Sequence, residues 1–218
     1  MFIELVDALR CPEDHEESWL VLASQRIVAR HILEGTLGCP VCRAEYPIHD
    51  GVLDFTRGGK PHVAAAVTPA AQEAMRLAAF LGLDDALGFA VLLGGWGSQA
   101  LELRALVECP IVLVDPPADV EAAPGLSIIR TAGPVPIAPA SARAVAIDAR
   151  DLHGTHGARV ESAVRATKAK GRVLGHAELP LPAGVTQLAR DAELWVGERE
   201  AVASPPVTLH VRRASRGA

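Results

Sequence analysis

The sequence predicts an α/β protein in which a small N-terminal β domain precedes a larger, mostly parallel sheet. Two observations support this prediction. A Cys-Pro-Val-Cys turn stands among short strand-like runs in residues 1–57, and residues 88–115 read as strand, glycine-rich turn, helix and strand. Strands that alternate with helices are typical of a parallel sheet. We therefore divide the chain into a first domain at 1–57, a linker at 58–67 and a second domain at 68–218.

The composition limits the functions that this chain can have. It has 218 residues, 50% of them hydrophobic, and a formal net charge of −5. An acidic protein without a basic stripe is unlike most nucleic-acid binders. No apolar run is long enough to span a membrane, and the first residues lack the pattern of a secretory leader. We expect a cytoplasmic protein whose four cysteines are thiols or metal ligands rather than disulfides.

Local patterns predict the elements in chain order. Apolar residues three or four apart indicate helices, and short β-rich apolar runs indicate strands. The second helix begins with a Thr-Pro cap signal and stops at a glycine. Helices are predicted at 2–10, 68–80, 99–108 and 159–168. Strands are predicted at 19–23, 26–33, 89–93, 110–114, 126–130, 144–147, 172–175, 193–198 and 207–212, the last two as a closing antiparallel pair.

The connections in the second domain are unusually short. Residues 116–125 and 131–142 are too few and too rich in proline for crossover helices, which normally take a dozen residues or more. The sheet is therefore pruned, with one face thinly covered. An uncovered apolar face favours a partner, either the N-terminal domain or another subunit.

Three cysteines of the first domain predict a metal site. Cys39 and Cys42 lie in a tight turn that directs both thiolates at one ion, and Cys11 supplies a third. Either Asp14 or His15 can complete the set, since zinc accepts sulfur, nitrogen and oxygen ligands in a tetrahedral site. The alternative is a domain that has lost its metal and is held together by packing alone.

The first domain resembles the Trm112-like zinc-ribbon family. The resemblance rests on LRCPED at 9–14, CPVC at 39–42 and YPIHDGV at 46–52, and covers 1–55. It implies a zinc-ribbon-like fold, bound zinc and a methyltransferase as partner, because members of this family are activators and N-terminal partners of methyltransferases. Where the metal-binding members carry a second cysteine in the first pair, this chain has Asp14.

The second domain is organised around a predicted cofactor-binding unit. After the strand at 89–93, Gly95 and Gly97 let the backbone approach a ligand closely, and Ser98 caps the next helix. The following strand ends in Asp115, which can bind ribose hydroxyls. Strand, glycine turn, helix, strand and acid describe a Rossmann-like nucleotide-binding unit. The alternative is a glycine turn that only packs a helix close to a strand.

Two polar residues are candidates for catalysis. Asp148 follows the strand at 144–147 and His153 lies five residues further on. Ligands of open α/β sheets sit beyond the carboxyl ends of the strands, so this loop lies beside Asp115. The alternative is that the acids of this loop cap the next helix and the histidines are solvated.

Residues 88–213 resemble a class I S-adenosylmethionine (SAM)-dependent methyltransferase domain. The glycine turn LLGGWGS at 92–98, the acid Asp115, and the stretches at 135–148 and 169–179 carry the resemblance. It implies SAM as cofactor, held by the glycine turn and the acid.

Other positions depart from the family pattern. Leu93 stands at the usual first acid, Gln99 at the last glycine, and Ala142 and Arg143 at a Phe-Asp pair. These losses favour an interaction or regulatory module without catalysis, with a protein partner or as a homo-oligomer. The alternative is an active SAM-dependent methyltransferase acting on a small molecule, a protein or RNA.

Overall fold

The computed structural model describes residues 1–60, 63–148 and 156–201. In these ranges the α-helices are α1 (Ala71–Leu81), α2 (Ala100–Leu106) and α3 (His156–Ala166), and 3-10 helices span Ile3–Ala8 and Gly94–Gln99. The strands are β1 (Val21–Val28), β2 (His31–Gly38), β3 (Glu45–His49), β4 (Val52–Asp54), β5 (Ala90–Leu93), β6 (Ile111–Val114), β7 (Leu126–Arg130), β8 (Ala142–Ile147), β9 (Thr167–His176), β10 (Val185–Arg190) and β11 (Leu194–Arg199). None of these helices is long and apolar enough to cross a membrane.

All the described strands belong to one sheet, in the order β1-β2-β3-β4-β7-β6-β5-β8-β9-β11-β10. The six strands from β4 to β9 in this order are parallel, and antiparallel strands extend the sheet at both ends. The predicted α/β class is confirmed: a small N-terminal β region precedes a large, mostly parallel sheet.

The central strands are apolar throughout because both of their faces are buried. Side chains alternate between the two faces of a strand, and the core divides accordingly. Val91 and Val112 share a cluster with Leu5 of the first 3-10 helix and with α3, whereas Leu92 and Leu113 share a second cluster with α1 and α2. The N-terminal region and α3 therefore cover this face of the sheet together.

The N-terminal region is also joined to the sheet through the backbone. β4 pairs in parallel with β7, and the Phe55 amide extends this pairing by donating to the Arg130 carbonyl at 2.8 Å. At the 3-10 helix, the Phe2 amide donates to Ser127 Oγ at 3.0 Å. The partner predicted for the thinly covered face is thus supplied, at least in part, by the same chain.

The first hairpin differs from its prediction. The break between its strands was expected near Ser24 and Gln25, but the turn lies at Ala29 and Arg30, which both have positive φ angles of 46° and 64°. Gln25 is instead a bulge within β1, since Ser24 and Arg26 pair with successive residues of β2. The bulge disturbs the alternation of the strand, and the turn contains no glycine that would have marked it.

The closing strands are also rearranged. β11 corresponds to the strand predicted at 193–198, but it pairs with β9 and β10. Its predicted partner at 207–212 lies outside the described residues. β10 was not predicted, because its residues are exposed except for Val185 and an exposed edge strand has little apolar alternation.

Candidate metal centre and candidate cofactor cleft

Four side chains of the N-terminal region converge on one point. The ligand atoms of Cys11, His15, Cys39 and Cys42 all lie within 4.8 Å of one another. Cys11 Sγ and Cys42 Sγ are 3.7 Å apart, and Cys39 Sγ is 3.5 Å from His15 Nε2. Zn–S bonds of about 2.3 Å and Zn–N bonds of about 2.0 Å give tetrahedral edges of about 3.8 Å and about 3.5 Å. These two separations match those of a tetrahedral Cys₃His site, and the group could bind zinc. Asp14, the other proposed fourth ligand, is not part of it.

A tight turn holds the two cysteines of the knuckle in place. The Cys39 amide donates to the Ala44 carbonyl at 2.9 Å, and the Arg43 amide donates to the Cys39 carbonyl at 3.0 Å. Arg43 has a φ angle of 61°, which reverses the chain into β3. These bonds close the loop between β2 and β3 and keep both thiols on the same side as Cys11.

The surroundings of Cys39 and His15 favour the forms of these side chains that bind a cation. Although burial raises the pKa of the Cys39 thiol, backbone hydrogen bonds from Cys42 and Val41 outweigh it and lower that pKa to about 6. His15 Nδ1 lies 2.6 Å from the Glu16 carbonyl, a contact in which Nδ1–H donates and which leaves the Nε2 lone pair for an ion. In contrast, burial raises the pKa of the Cys11 thiol to about 11.

The predicted ribose-binding acid is buried inside the protein. Asp115 has 0% exposure. Its Oδ1 accepts a hydrogen bond from the Thr131 amide at 2.8 Å, and its Oδ2 forms an ion pair with Arg159 Nη2 of α3 at 2.5 Å. Burial raises the pKa of the Asp115 carboxyl, and the Arg159 guanidinium opposes that shift. Both carboxylate oxygens are thus engaged by protein donors.

The glycine turn is also packed against the chain. Its residues Gly94–Gln99 form a buried 3-10 helix, so α2 starts only at Ala100. A Cβ atom on Gly97 would lie 2.5 Å from Pro116 Cβ, which means that the missing side chain makes room for the residue after Asp115. The predicted helix cap at Ser98 is wrong, since its Oγ accepts a hydrogen bond from the Val67 amide at 3.0 Å.

A cavity of about 490 Å³ lies on the other side of the turn, between α1 and the end of β9. Gly95, Trp96 and His176 are part of its lining. The rings of Trp96 and His176 are stacked, with centroids 5.1 Å apart, and His176 Nε2 is 3.3 Å from Asp148 Oδ1. Asp148 is fully buried, and His153 lies outside the described residues.

Two residues of these sites, His176 and Arg159, were not predicted from the sequence. His176 ends β9, and its place at the carboxyl end of a central strand was a usable signal. Arg159 had no such signal, because it lies in a helix 44 residues from its partner.

Comparison with known proteins addresses the N-terminal region directly. Residues 3–51 match the model of the family described as Trm112p-like protein. These residues form a Trm112-like domain. The domain contains all four candidate metal ligands and β1 to β3, and β4 follows directly at its end. No curated protein matches the chain.

Several solved structures are similar in fold. A putative SAM-dependent methyltransferase from Methanococcus maripaludis is 10% identical with a TM-score of 0.47, and the match covers 62% of this chain and 86% of that one. The complex of the Haloferax volcanii Trm112 methyltransferase activator and a putative methyltransferase is 18% identical with a TM-score of 0.38, covering 48% and 50%. A geranyl diphosphate methyltransferase bound to GPP and sinefungin is 14% identical with a TM-score of 0.40, covering 47% of this chain and only 42% of that one.

Proposed function

We propose that this chain is a methyltransferase-like protein that has lost methyl transfer and acts as an interaction or regulatory module. The observation that carries the proposal is the engagement of both Asp115 oxygens by Thr131 and Arg159. A nucleoside cofactor would have to replace the buried guanidinium, and breaking a buried ion pair costs about 3–5 kcal/mol. That cost weakens binding roughly 10²- to 10⁴-fold.

The residues around the glycine turn support the same proposal. Gly97 has no free space on its Pro116 side, and Leu93 has no charge to offer. The chain therefore does not fit SAM at the ribose end of the cleft, and we assign no step of a reaction to that cofactor.

We further propose that Cys11, His15, Cys39 and Cys42 hold a structural zinc ion. Four protein ligands close the coordination shell, whereas catalytic zinc sites keep one position for water or substrate. The ion would fix the knuckle relative to Cys11 and so stabilise the Trm112-like domain. Thiolate ligands also fit the cytoplasmic location that we propose, since a reducing compartment keeps cysteines available for metal.

The first partner of the Trm112-like domain, in this proposal, is the sheet of its own chain. The parallel pairing of β4 with β7 and the contact between Phe2 and Ser127 support this arrangement. A further protein partner, or a second copy of the chain, would bind the assembled surface rather than a separated domain.

The test is isothermal titration of SAM and S-adenosylhomocysteine into the full chain. We expect no heat at millimolar ligand in a sample that circular dichroism shows to be folded. Micromolar binding that is lost in an Asp115→Ala variant, itself shown by circular dichroism to be folded, would refute the proposal, because it would mean that the carboxylate exchanges Arg159 for the ligand.

A second candidate function is an active SAM-dependent methyltransferase. It is favoured by the cavity beside Gly95, because the lining of that cavity includes the imidazole of His176, which lies close to the Asp148 carboxylate. Methyl transfer depends mainly on aligning the nucleophile with the methyl donor, so it needs few catalytic groups. Binding of SAM that survives Asp115→Ala would support this candidate over the first.

A further inference from the structure

We propose that Tyr46 is a positioning residue of the metal centre, which donates a hydrogen bond from its phenol to the Cys11 thiolate. The inference rests on the zinc site proposed above. Tyr46 Oη lies 3.2 Å from Cys11 Sγ, and the tyrosine side chain is fully buried in β3.

The geometry decides where the phenol proton points. The other acceptor near Tyr46 Oη is Glu13 Oε1 at 3.5 Å, which is too long for a good O–H···O hydrogen bond. Glu13 is also paired with Arg57 Nη1 at 3.2 Å, so its charge is already compensated. Sulfur is the larger acceptor and lies closer. A metal-bound thiolate carries negative charge, and hydrogen bonds to charged acceptors are the stronger kind.

The ring of Tyr46 packs at the junction between the Trm112-like domain and the sheet. The Tyr46 ring contacts the Phe55 ring at a centroid distance of 4.5 Å, and Phe55 is bonded through its amide to Arg130 of β7. The same tyrosine thus contacts a metal ligand at one end and the junction between the Trm112-like domain and the sheet along its ring. Groups that orient metal ligands in this way typically contribute 10- to 100-fold to metal affinity.

The test compares the full chain with two variants. Tyr46→Phe removes the hydroxyl and keeps the ring on Phe55, and Phe55→Leu is the matched control that removes the ring contact and keeps the phenol. Zinc affinity is measured by competition with a chromophoric chelator. The thiolate-to-metal charge-transfer band is recorded after loading with Co²⁺, as a readout that a purely structural role would not move.

We expect Tyr46→Phe to weaken zinc binding roughly 10- to 100-fold and to move the Co²⁺ charge-transfer band to longer wavelength, because the sulfur lone pairs lose a donor. We expect Phe55→Leu to leave the affinity and the band as in the wild type. Unchanged affinity and band in Tyr46→Phe, beside tight binding by the wild type, would overturn the role of Tyr46. A reduced wild-type chain that binds no zinc would refute the proposed zinc site and this inference with it.

Discussion

Asp115 and Arg159 form a charge pair that water does not reach, with exposures of 0% and 3%. Such a pair adds little net stability when it is complete, but removing one partner leaves an uncompensated buried charge. We expect Asp115→Ala and Arg159→Ala each to lower the free energy of unfolding by about 3–5 kcal/mol. The double variant should lose much less than the sum of the two, which urea denaturation will measure. Additive losses would mean that the two charges do not depend on each other.

A substitution at Gly97 can test whether the glycine turn is needed for close packing against Pro116. Gly97→Ala places a methyl group against Pro116, and overpacking of this kind costs about 1–3 kcal/mol. Gly133→Ala is the control, because no atom lies within 4 Å of its Cβ position, and we expect a change within about 0.5 kcal/mol. Thermal unfolding of both variants checks this. Equal melting temperatures would instead indicate that the turn can open.

Some residues of the candidate sites could be predicted from the sequence, and others could not. Cys11, Cys39 and Cys42 could be predicted as a group, because their chemistry and spacing point to one ion. The choice between Asp14 and His15 could not, since it depends on how the loop after Cys11 turns. The use of Asp115 was equally hidden, because its partner comes from a distant helix.

The loop between Cys11 and β1 is the element that selects the fourth metal ligand. After dialysis against a weak chelator, the His15→Ala variant should contain less than one zinc ion per chain. The substitution removes the imidazole nitrogen Nε2, which lies 3.5 Å from Cys39 Sγ and is the fourth ligand of the proposed site. Asp14→Ala is the matched control and should retain the ion. Mass spectrometry of the metal content distinguishes them. Retention by His15→Ala with loss by Asp14→Ala would reverse the assignment.

Strands differ in how well their pattern reveals them. The bounds of β7 match the predicted strand at 126–130, because the strand begins directly after the turn residue Gly125 and its apolar residues give way to polar ones at Arg130. β1 was misplaced because a bulge at Gln25 interrupts its alternation. Periodicity therefore predicts strands that are regular and buried, and fails where the pairing itself is irregular.

The molecule as a whole behaves, we expect, as one cooperative unit. Leu5 of the first 3-10 helix has 0% exposure and shares a core with the central strands. Leu5→Ala should destabilise the chain by about 2–5 kcal/mol and speed amide hydrogen exchange in β6 and β7 as well as in the Trm112-like domain. Leu101→Ala, at a side chain that is 67% exposed, is the control. Faster exchange confined to the Trm112-like domain would mean that the two parts unfold separately.

The bulge in β1 has a consequence for solubility. The described sheet ends at β1 on one side and at β10 on the other, and free strand edges are templates for aggregation. β10 carries its own irregularity between Gln187 and Ala189. Bulges twist an edge away from regular pairing and so discourage a second molecule from adding a strand. The pairing of β4 with β7 covers one further edge on each of these two strands, so that fusion of the two parts protects the molecule from self-association.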